Sequence, residues 1–481
     1  MNLSKRGRVL FGLILSGLCW YAAFDLSFHA WWALWLAPLP ILYLSVNLSG
    51  GQAFLLAFVA FLIGRLSWWT YLHSVLPLPL ALIFTVFFPL VFGGIVVAVR
   101  RIARVAPPAV AVFAYPVLWT AFEFLQFLFS RDGTIGSIAY TQCDFLPLVQ
   151  LAAITGVLGL TFVASYVPAA AALALYYRRQ GKRVQGVLIP ALLLVVGVLT
   201  YGSLRLHAPN RASSGEVTVG LAAISKKAYG NDYDPRPEVE LPLAERYLQE
   251  IRALTGQGAR VVLLPEKGVP VSDSVEAICM GLLRDEARRS AMTIIAGVTR
   301  IYKDHPECQA WVIGPDGQWL LNYRKVNLFE GEVFDGFVPG KAPGFFQGDG
   351  ITNGVAICKD CDYDTYIRRY SGQGARVLYV PAWDFNADGW LHSRIAMMRG
   401  VENGFTLVRN AQEGRLTISD DRGRVLSEAS CEGGKRASII GQAGPSRART
   451  LYSRWGNWWG WINLVAAVGF LGLMIGRKRK G

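Results

Sequence analysis

Apolar runs long enough to cross a membrane fill the first part of the chain, and one more stands near its end. A helix needs roughly 20 apolar residues to span the hydrocarbon layer. Seven runs meet that length before the pattern changes: about 8–26, 30–48, 52–72, 75–99, 109–129, 147–176 and 186–204. An eighth covers about 457–476. The first run is too uninterrupted, and too soon followed by others, to be a cleaved signal peptide. The pattern divides the chain into a membrane domain of seven spans (1–206), a water-compatible domain (214–445) and a C-terminal transmembrane helix (456–476). The fold class expected is a polytopic α-helical membrane domain of about 8 spans joined to an α/β domain.

Within 214–445 short β-branched runs alternate with stretches of helical period. Val217–Ile224, Arg260–Pro265 and Thr293–Val298 predict strands. Glu238–Leu254 and Val275–Ser290 predict amphipathic helices between them. Gln309–Ile313 and Gln318–Tyr323 flank Gly314-Pro315-Asp316-Gly317, a strong hairpin signal. Gly354–Ile357 and Val377–Val380 predict buried strands, and Ile395–Glu402 a helix. Thr406–Asn410 and Arg415–Ser419 predict a closing hairpin.

The net charge of +14 raises the question of nucleic acid, which the positions of the cations answer. Fourteen of them lie in four clusters: Lys5, Arg6, Arg8; Arg100, Arg101, Arg104; Arg178, Arg179, Lys182, Arg183; and Arg477–Lys480. Elsewhere 34 basic residues face 34 acidic ones. Each cluster flanks an apolar run, as cytoplasmic membrane flanks do. A nucleic-acid-binding face would gather them on the polar domain instead. With the N-terminus inside, every cluster falls on the cytoplasmic side and the long polar domain lies outside, in the periplasm of a bacterium with two membranes. Arg65 and Glu123 are ionisable groups at membrane depth, which mark either function or a mutual pair. The polar stretch Ser130–Asp144 after Glu123 is a candidate lipid entry mouth.

Three short segments of the polar domain carry reactive groups. Glu266 follows Val-Val-Leu-Leu-Pro, Lys325 follows Trp-Leu-Leu-Asn-Tyr-Arg, and Cys358 follows Gly-Val-Ala-Ile. Reactive side chains of α/β sheets gather beyond the carboxyl ends of strands, so these three can meet despite their separation. A thiol is mostly protonated at neutral pH and needs a base, the role open to Glu266. Lys325 would stabilise the thiolate and the oxyanion of a tetrahedral intermediate. A second carboxylate, Glu332 rather than Glu330, would orient Lys325 or relay protons.

The seven cysteines (Cys19, Cys143, Cys279, Cys308, Cys358, Cys361 and Cys431) form neither a disulfide framework nor a paired zinc motif. Five histidines are too few and too scattered for a His-rich metal site, and no metal ligands are assigned. Cys358-Lys359-Asp360-Cys361 is also a C-x-x-C, so a redox pair or a regulatory disulfide stays open. Asp360, Asp362 and Asp364 alternate like the start of a calcium loop, but Thr365 stands where that loop needs Gly and Ser371 where it needs Glu.

The Glu266–Lys325–Cys358 set resembles the triad of the nitrilase, or carbon–nitrogen hydrolase, superfamily, with Glu332 as its accessory carboxylate. Arg399-Gly400-Val401-Glu402-Asn403-Gly404 and Leu407-Val408-Arg409-Asn410-Ala411 are similar to that family's segment after the nucleophile. The resemblance implies a four-layer αββα sandwich and no cofactor. With eight spans around it, and with the stretch Gln150–Leu160 and Glu123, the chain as a whole resembles the bacterial apolipoprotein N-acyltransferases. That implies transfer of an acyl chain from a phospholipid donor, through a cysteine thioester, to the α-amino group of a diacylglyceryl-cysteine lipoprotein acceptor. At the nucleophile the chain has Ile-Cys-Lys-Asp where the family has Ile-Cys-Tyr-Glu, so Asp360, a further accessory carboxylate of shorter reach, stands where that motif has its Glu. Lys267 follows the base where a small residue is usual. The alternatives are a membrane-anchored amidase, in which water resolves the acyl-enzyme, and a transporter or receptor whose polar domain only binds ligand.

Overall fold

The computed structural model describes residues 4–26, 30–208, 215–229, 236–302, 305–446 and 449–476; the cationic tail Arg477–Lys480 lies outside them. The chain divides into two compact units, Met1–His207 with Asn457–Gly481, and Ala208–Gly456.

The first unit is helical. Among the described residues, six helices are long and apolar enough to cross a membrane: Arg6–Phe24, Gly50–Val75, Leu78–Val105, Pro108–Phe129, Val157–Arg179 and Gln185–His207. Three expected spans are shorter or broken. The run 30–48 splits into a 3-10 turn, Trp31–Trp35, and a helix, Pro38–Ser45. Pro38 opens that helix, because a proline that cannot donate to the preceding turn is tolerated only in a first turn. The run 147–176 breaks at Gly156, whose φ of 68° ends the short helix Ala152–Thr155 before Val157–Arg179 begins. The C-terminal apolar stretch, Trp458–Met474, is likewise among the shorter helices.

Glu123 and Arg65 do not pair. The Glu123 carboxylate accepts hydrogen bonds from Trp119 Nε1 (3.0 Å), Ile138 N (2.9 Å), Ser137 Oγ (2.6 Å) and Thr161 Oγ1 (2.6 Å). It thereby folds part of the polar stretch after the fifth expected span back onto its own helix and onto Val157–Arg179. The Arg65 guanidinium sits over the rings of Trp68 (4.6 Å) and Phe88 (4.8 Å).

The second unit stacks two sheets between helices. Its strands are β1 (Val217–Ala223), β2 (Val261–Leu263), β3 (Val269–Ser272), β4 (Thr293–Ile301), β5 (Pro306–Ile313), β6 (Trp319–Arg324), β7 (Gly344–Gly348), β8 (Ile351–Val355), β9 (Val377–Trp383), β10 (Thr406–Gln412), β11 (Arg415–Ser419), β12 (Val425–Ser430) and β13 (Ala437–Ala443). One sheet runs β13-β1-β2-β4-β5-β6, with β3 also on β4; the other runs β12-β11-β10-β9-β8-β7. β1, β2 and β4 are parallel, as are β8, β9 and β10.

Three cores correspond to the three interfaces of an αββα sandwich. Helices Pro237–Gly256 and Glu276–Ser290 cover the first sheet through Leu243, Tyr247, Ile251, Cys279 and Leu283. Val219, Leu221, Leu263, Ile295, Val355, Tyr379 and Val408 fill the space between the sheets. Ile367 and Tyr370 of helix Asp364–Gly372, with Ala396 of helix Gly389–Asn403, cover the second sheet. Helix Pro237–Gly256 forms where it does because Pro237 suits a first turn, Glu238 and Glu240 favour the positive end of its dipole, and its apolar residues recur at helical spacing. The Gly314–Gly317 turn forms as expected: Gly317 N donates to Gly314 O, and Gln318 N to Asp316 Oδ1.

Candidate active site

The carboxyl ends of β2, β6 and β8 deliver the three candidate residues to one place. β2 stops at Leu263, and the following turn carries Glu266. Glu266 N donates to Ala382 O at the end of β9, which ties this turn to the opposite sheet. Gly297 on β4 makes room for the turn: a Cβ there would collide with the Pro265 carbonyl and the Glu266 Cα. Asn410 on β10 strengthens the tie, its amide donating to Ala222 O (2.9 Å) and Leu263 O (2.6 Å). Gln412 Nε2 does the same for Ile224 O (2.8 Å).

Lys325 follows β6 directly. Its ammonium lies 2.8 Å from Glu266 Oε1 and 2.8 Å from Glu332 Oε2. All three side chains are buried. Burial works against the charge of Lys325, but the two carboxylates outweigh it and hold the amine well above its ordinary pKa. Glu332 accepts from Lys325, from Phe329 N (2.9 Å), and forms an ion pair with Lys267 (3.2 Å). Burial opposes its ionisation, yet Lys325 and Lys267 bring it down to about 2.

Cys358 opens a 3-10 turn (Cys358–Asp362) beyond β8, with a φ of 42°. A left-handed backbone at a side chain other than glycine stores about 1–3 kcal/mol and persists only where its surroundings enforce it. The enforcement comes from Asp360, fully buried, which accepts from Ile357 N (2.9 Å), Asn327 N (2.8 Å), Asn327 Nδ2 (2.9 Å) and Tyr323 Oη (2.6 Å). Its oxygens are thus engaged in shaping the turn. His392 braces the same turn from helix Gly389–Asn403, between Asp388 (3.1 Å) and Asp362 (3.6 Å). Burial disfavours its charge, but the two aspartates win and raise it to about 10.

The Cys358 thiol donates to the Trp383 carbonyl at 3.5 Å. Burial first, and then the Glu266 charge, push it well above the usual thiol pKa, while Lys325 acts in the opposite sense. The resting sulfur is therefore protonated, and its proton must move as it reacts. Cys361 is also a free thiol. It packs with Ile367 and Tyr370 in the core beneath the helices, whereas Cys358 borders the core between the sheets.

Sequence reasoning passed over two groups here. Arg409 on β10 forms a bidentate pair with Asp384, the residue after β9, fixing the loop beside Trp383. Cys308 on β5 donates its thiol proton to Glu266 Oε1 at 3.1 Å. The signal for Cys308 was its place on the strand paired with the one leading to Lys325, and nothing in its local residues. Glu266, Cys308 and Glu332 bring one potential metal ligand each within 4.8 Å of one another. The Lys325 ammonium bonds to both carboxylates, so a metal cation there would meet a like charge.

Comparison with known proteins divides the chain at the same place. Residues 222–454 match the family described as carbon-nitrogen hydrolase, and residues 16–170 match the apolipoprotein N-acyltransferase N-terminal domain. Apolipoprotein N-acyltransferase of Geobacter metallireducens is 24% identical over 76% of this chain and 74% of its own length. That of Aquifex aeolicus is 22% identical over 92% of this chain and 99% of its own. Deaminated glutathione amidase of Synechocystis is 29% identical over 40% of this chain and 82% of its own. A crystal structure of an amidase from Nesterenkonia sp. aligns with a TM-score of 0.40 at 21% identity, covering 49% of this chain and 93% of that one.

Proposed function

Since the chain joins an apolipoprotein N-acyltransferase N-terminal domain to a carbon–nitrogen hydrolase domain, and so belongs to the apolipoprotein N-acyltransferases, we propose that Glu266, Lys325 and Cys358 carry out its acyl transfer. The donor is a phospholipid and the acceptor the α-amino group of a diacylglyceryl-cysteine lipoprotein. The observation that carries this reading is the buried Lys325 ammonium shared by Glu266 and Glu332 beside a strained, protonated thiol.

In the first half-reaction Glu266 takes the thiol proton as the Cys358 sulfur attacks the ester carbonyl carbon. The carbonyl oxygen becomes an oxyanion, which the Lys325 ammonium stabilises. Collapse breaks the ester C–O bond, and Glu266 returns its proton to the departing lysophospholipid oxygen. In the second half the acceptor amine attacks the thioester and gives a proton to Glu266. The C–S bond breaks, an amide remains, and the proton returns to sulfur. Glu332 keeps Lys325 charged and in place throughout. Asp360 acts by shaping the turn that presents Cys358.

The reading places the chain in the bacterial inner membrane with the Ala208–Gly456 unit facing the periplasm. Its support is the cationic clusters beside the apolar helices, which all satisfy the positive-inside rule in that one orientation.

The test is mass spectrometry of the purified full chain after incubation with phospholipid. An acyl adduct on Cys358 is expected, absent in Cys358→Ala, retained in Cys361→Ala, and discharged onto the amine of an added diacylated lipopeptide. An adduct on another cysteine would overturn the nucleophile. Hydrolysis of an amide without an acceptor would convert the reading to an amidase.

A further inference from the structure

Cys308 touches both the base and the strand end bearing the ammonium. It lies on β5, between β4 and β6, opposite Thr299 on one side and next to the Gln309–Arg324 pair on the other. Its carbonyl accepts the Lys325 N–H at 2.9 Å. Its thiol donates to Glu266 Oε1 at 3.1 Å. It is fully buried, so water does not compete for either bond. Burial, reinforced by the Glu266 and Glu332 charges, keeps this thiol protonated and hence a donor.

The two oxygens of Glu266 therefore differ. Oε1 accepts from both Lys325 Nζ and Cys308 Sγ. Among the described residues none donates to Oε2. The terminal torsion of a Glu side chain is a broad, roughly two-fold rotor, so a carboxylate held by one donor can turn either oxygen toward a substrate. Two donors on Oε1, arriving from β5 and from the end of β6, fix that rotor and leave the lone pairs of Oε2 for proton transfer. A thiol is also a weak donor, which positions the carboxylate while drawing little charge from it.

From this arrangement, and resting on the reading of Glu266 as base, we infer that Cys308 is a positioning residue. It locks the Glu266 carboxylate so that Oε2 receives the Cys358 proton. The other charged and titratable groups around Glu266 are Lys325 at the end of β6, which it shares with Glu332, Cys358 in the 3-10 turn, and Lys267, its neighbour in the chain, which pairs with Glu332. None of these changes when Cys308 is replaced.

The experiment measures acyl-enzyme formation on Cys358 of the full-length protein against pH, using a phospholipid donor. Cys308→Ala removes the donor and is expected to slow acylation by up to roughly tenfold, the upper end for losing one ordinary hydrogen bond. It also moves the acid limb of the profile to higher pH, because the ionised carboxylate loses support. Cys308→Ser keeps a donor, and a stronger one. It is expected to hold the rate within about threefold of the parent and to move the acid limb to lower pH. Opposite shifts in the two variants support the inference, and should the Ala variant fail to fold, the direction of the Ser shift decides alone. Parental rate and profile in Cys308→Ala would overturn it, as would a Ser variant that behaves like Ala, since that is loss of packing. Glu266→Gln separates the two levels: if that variant acylates at the parental rate, the base assignment itself falls and the role of Cys308 falls with it. If Glu266→Gln is inactive and the Cys308 variants are unshifted, only the positioning role is lost.

Discussion

Each of the two units buries a glutamate, and the two are solved in opposite ways. Glu123, in the helical unit, receives four hydrogen bonds, two on each oxygen. Glu266, in the αββα unit, receives two on one oxygen and keeps the other open, with an ammonium 2.8 Å away in place of a second set of neutral donors. A carboxylate with all its lone pairs engaged is a fastener, because moving a proton to it would first break bonds. One with an open oxygen and an adjacent fixed cation is prepared for proton transfer. Depth of burial does not separate them, since both are almost wholly inaccessible.

The largest effect that would break this contrast comes from Lys325. Lys325→Met should lower acyl-enzyme formation by about 100- to 1000-fold, the range for removing an oxyanion donor, and should lower the unfolding midpoint because two buried carboxylates lose their cation. Near-parental acylation would make this cluster a fastener too. Next in size is Gly297→Ala. Its new methyl displaces the turn that holds Glu266, so a loss of about 2 kcal/mol in stability and a drop in acylation should appear together.

Glu123→Gln should do the reverse of Lys325→Met. One oxygen and its acceptor capacity go, costing about 1–3 kcal/mol in detergent-solubilised thermal unfolding, while the alkylation rate of Cys358 stays parental. A slowed thiol with unchanged stability would erase the distinction. A last test, on stability alone, concerns His392. Its pKa is raised to about 10 in the fold, from an unfolded value of about 6.5. The stability it contributes is thus complete below the unfolded value and fades as pH climbs toward 10. Denaturant titrations across that window should show the decline, and His392→Asn should flatten it.

Much of this was legible along the chain, for reasons that differ from place to place. Glu266, Lys325 and Cys358 stood out because each follows an apolar, strand-forming run, and such runs deliver side chains to one edge of a sheet. The central strands announced themselves by β-branched residues, as in Val261–Leu263 and Val377–Val380. The outer strands did not: β12 and β13 carry Ser, Glu, Gly and Gln, and their faces are largely half-exposed. Helix Asp364–Gly372 was hidden because Asp364 continues the alternation of Asp360 and Asp362 that invites comparison with an ion-binding loop, while its helical pattern rests on Tyr366, Ile367 and Tyr370 over only nine residues. The run 30–48 was hydrophobic throughout, and hydropathy is blind to a proline's missing N–H. Cys308 was invisible for a deeper reason. Its importance lies in which neighbour it meets across the strands of one sheet, and that information exists only once those strands have paired.

The amides of Asn410 and Gln412 bridge from one sheet to carbonyls at the ends of the other. Base and ammonium belong to the first sheet and sulfur to the second, so these bridges act as the hinge pins of a two-leaved book whose text is printed half on each page. Warming that lets the leaves slip by a fraction of an ångström would silence the chemistry while circular dichroism still records intact leaves. Heat inactivation should accordingly precede melting, and a mutation at Asn410 should widen the interval between the two.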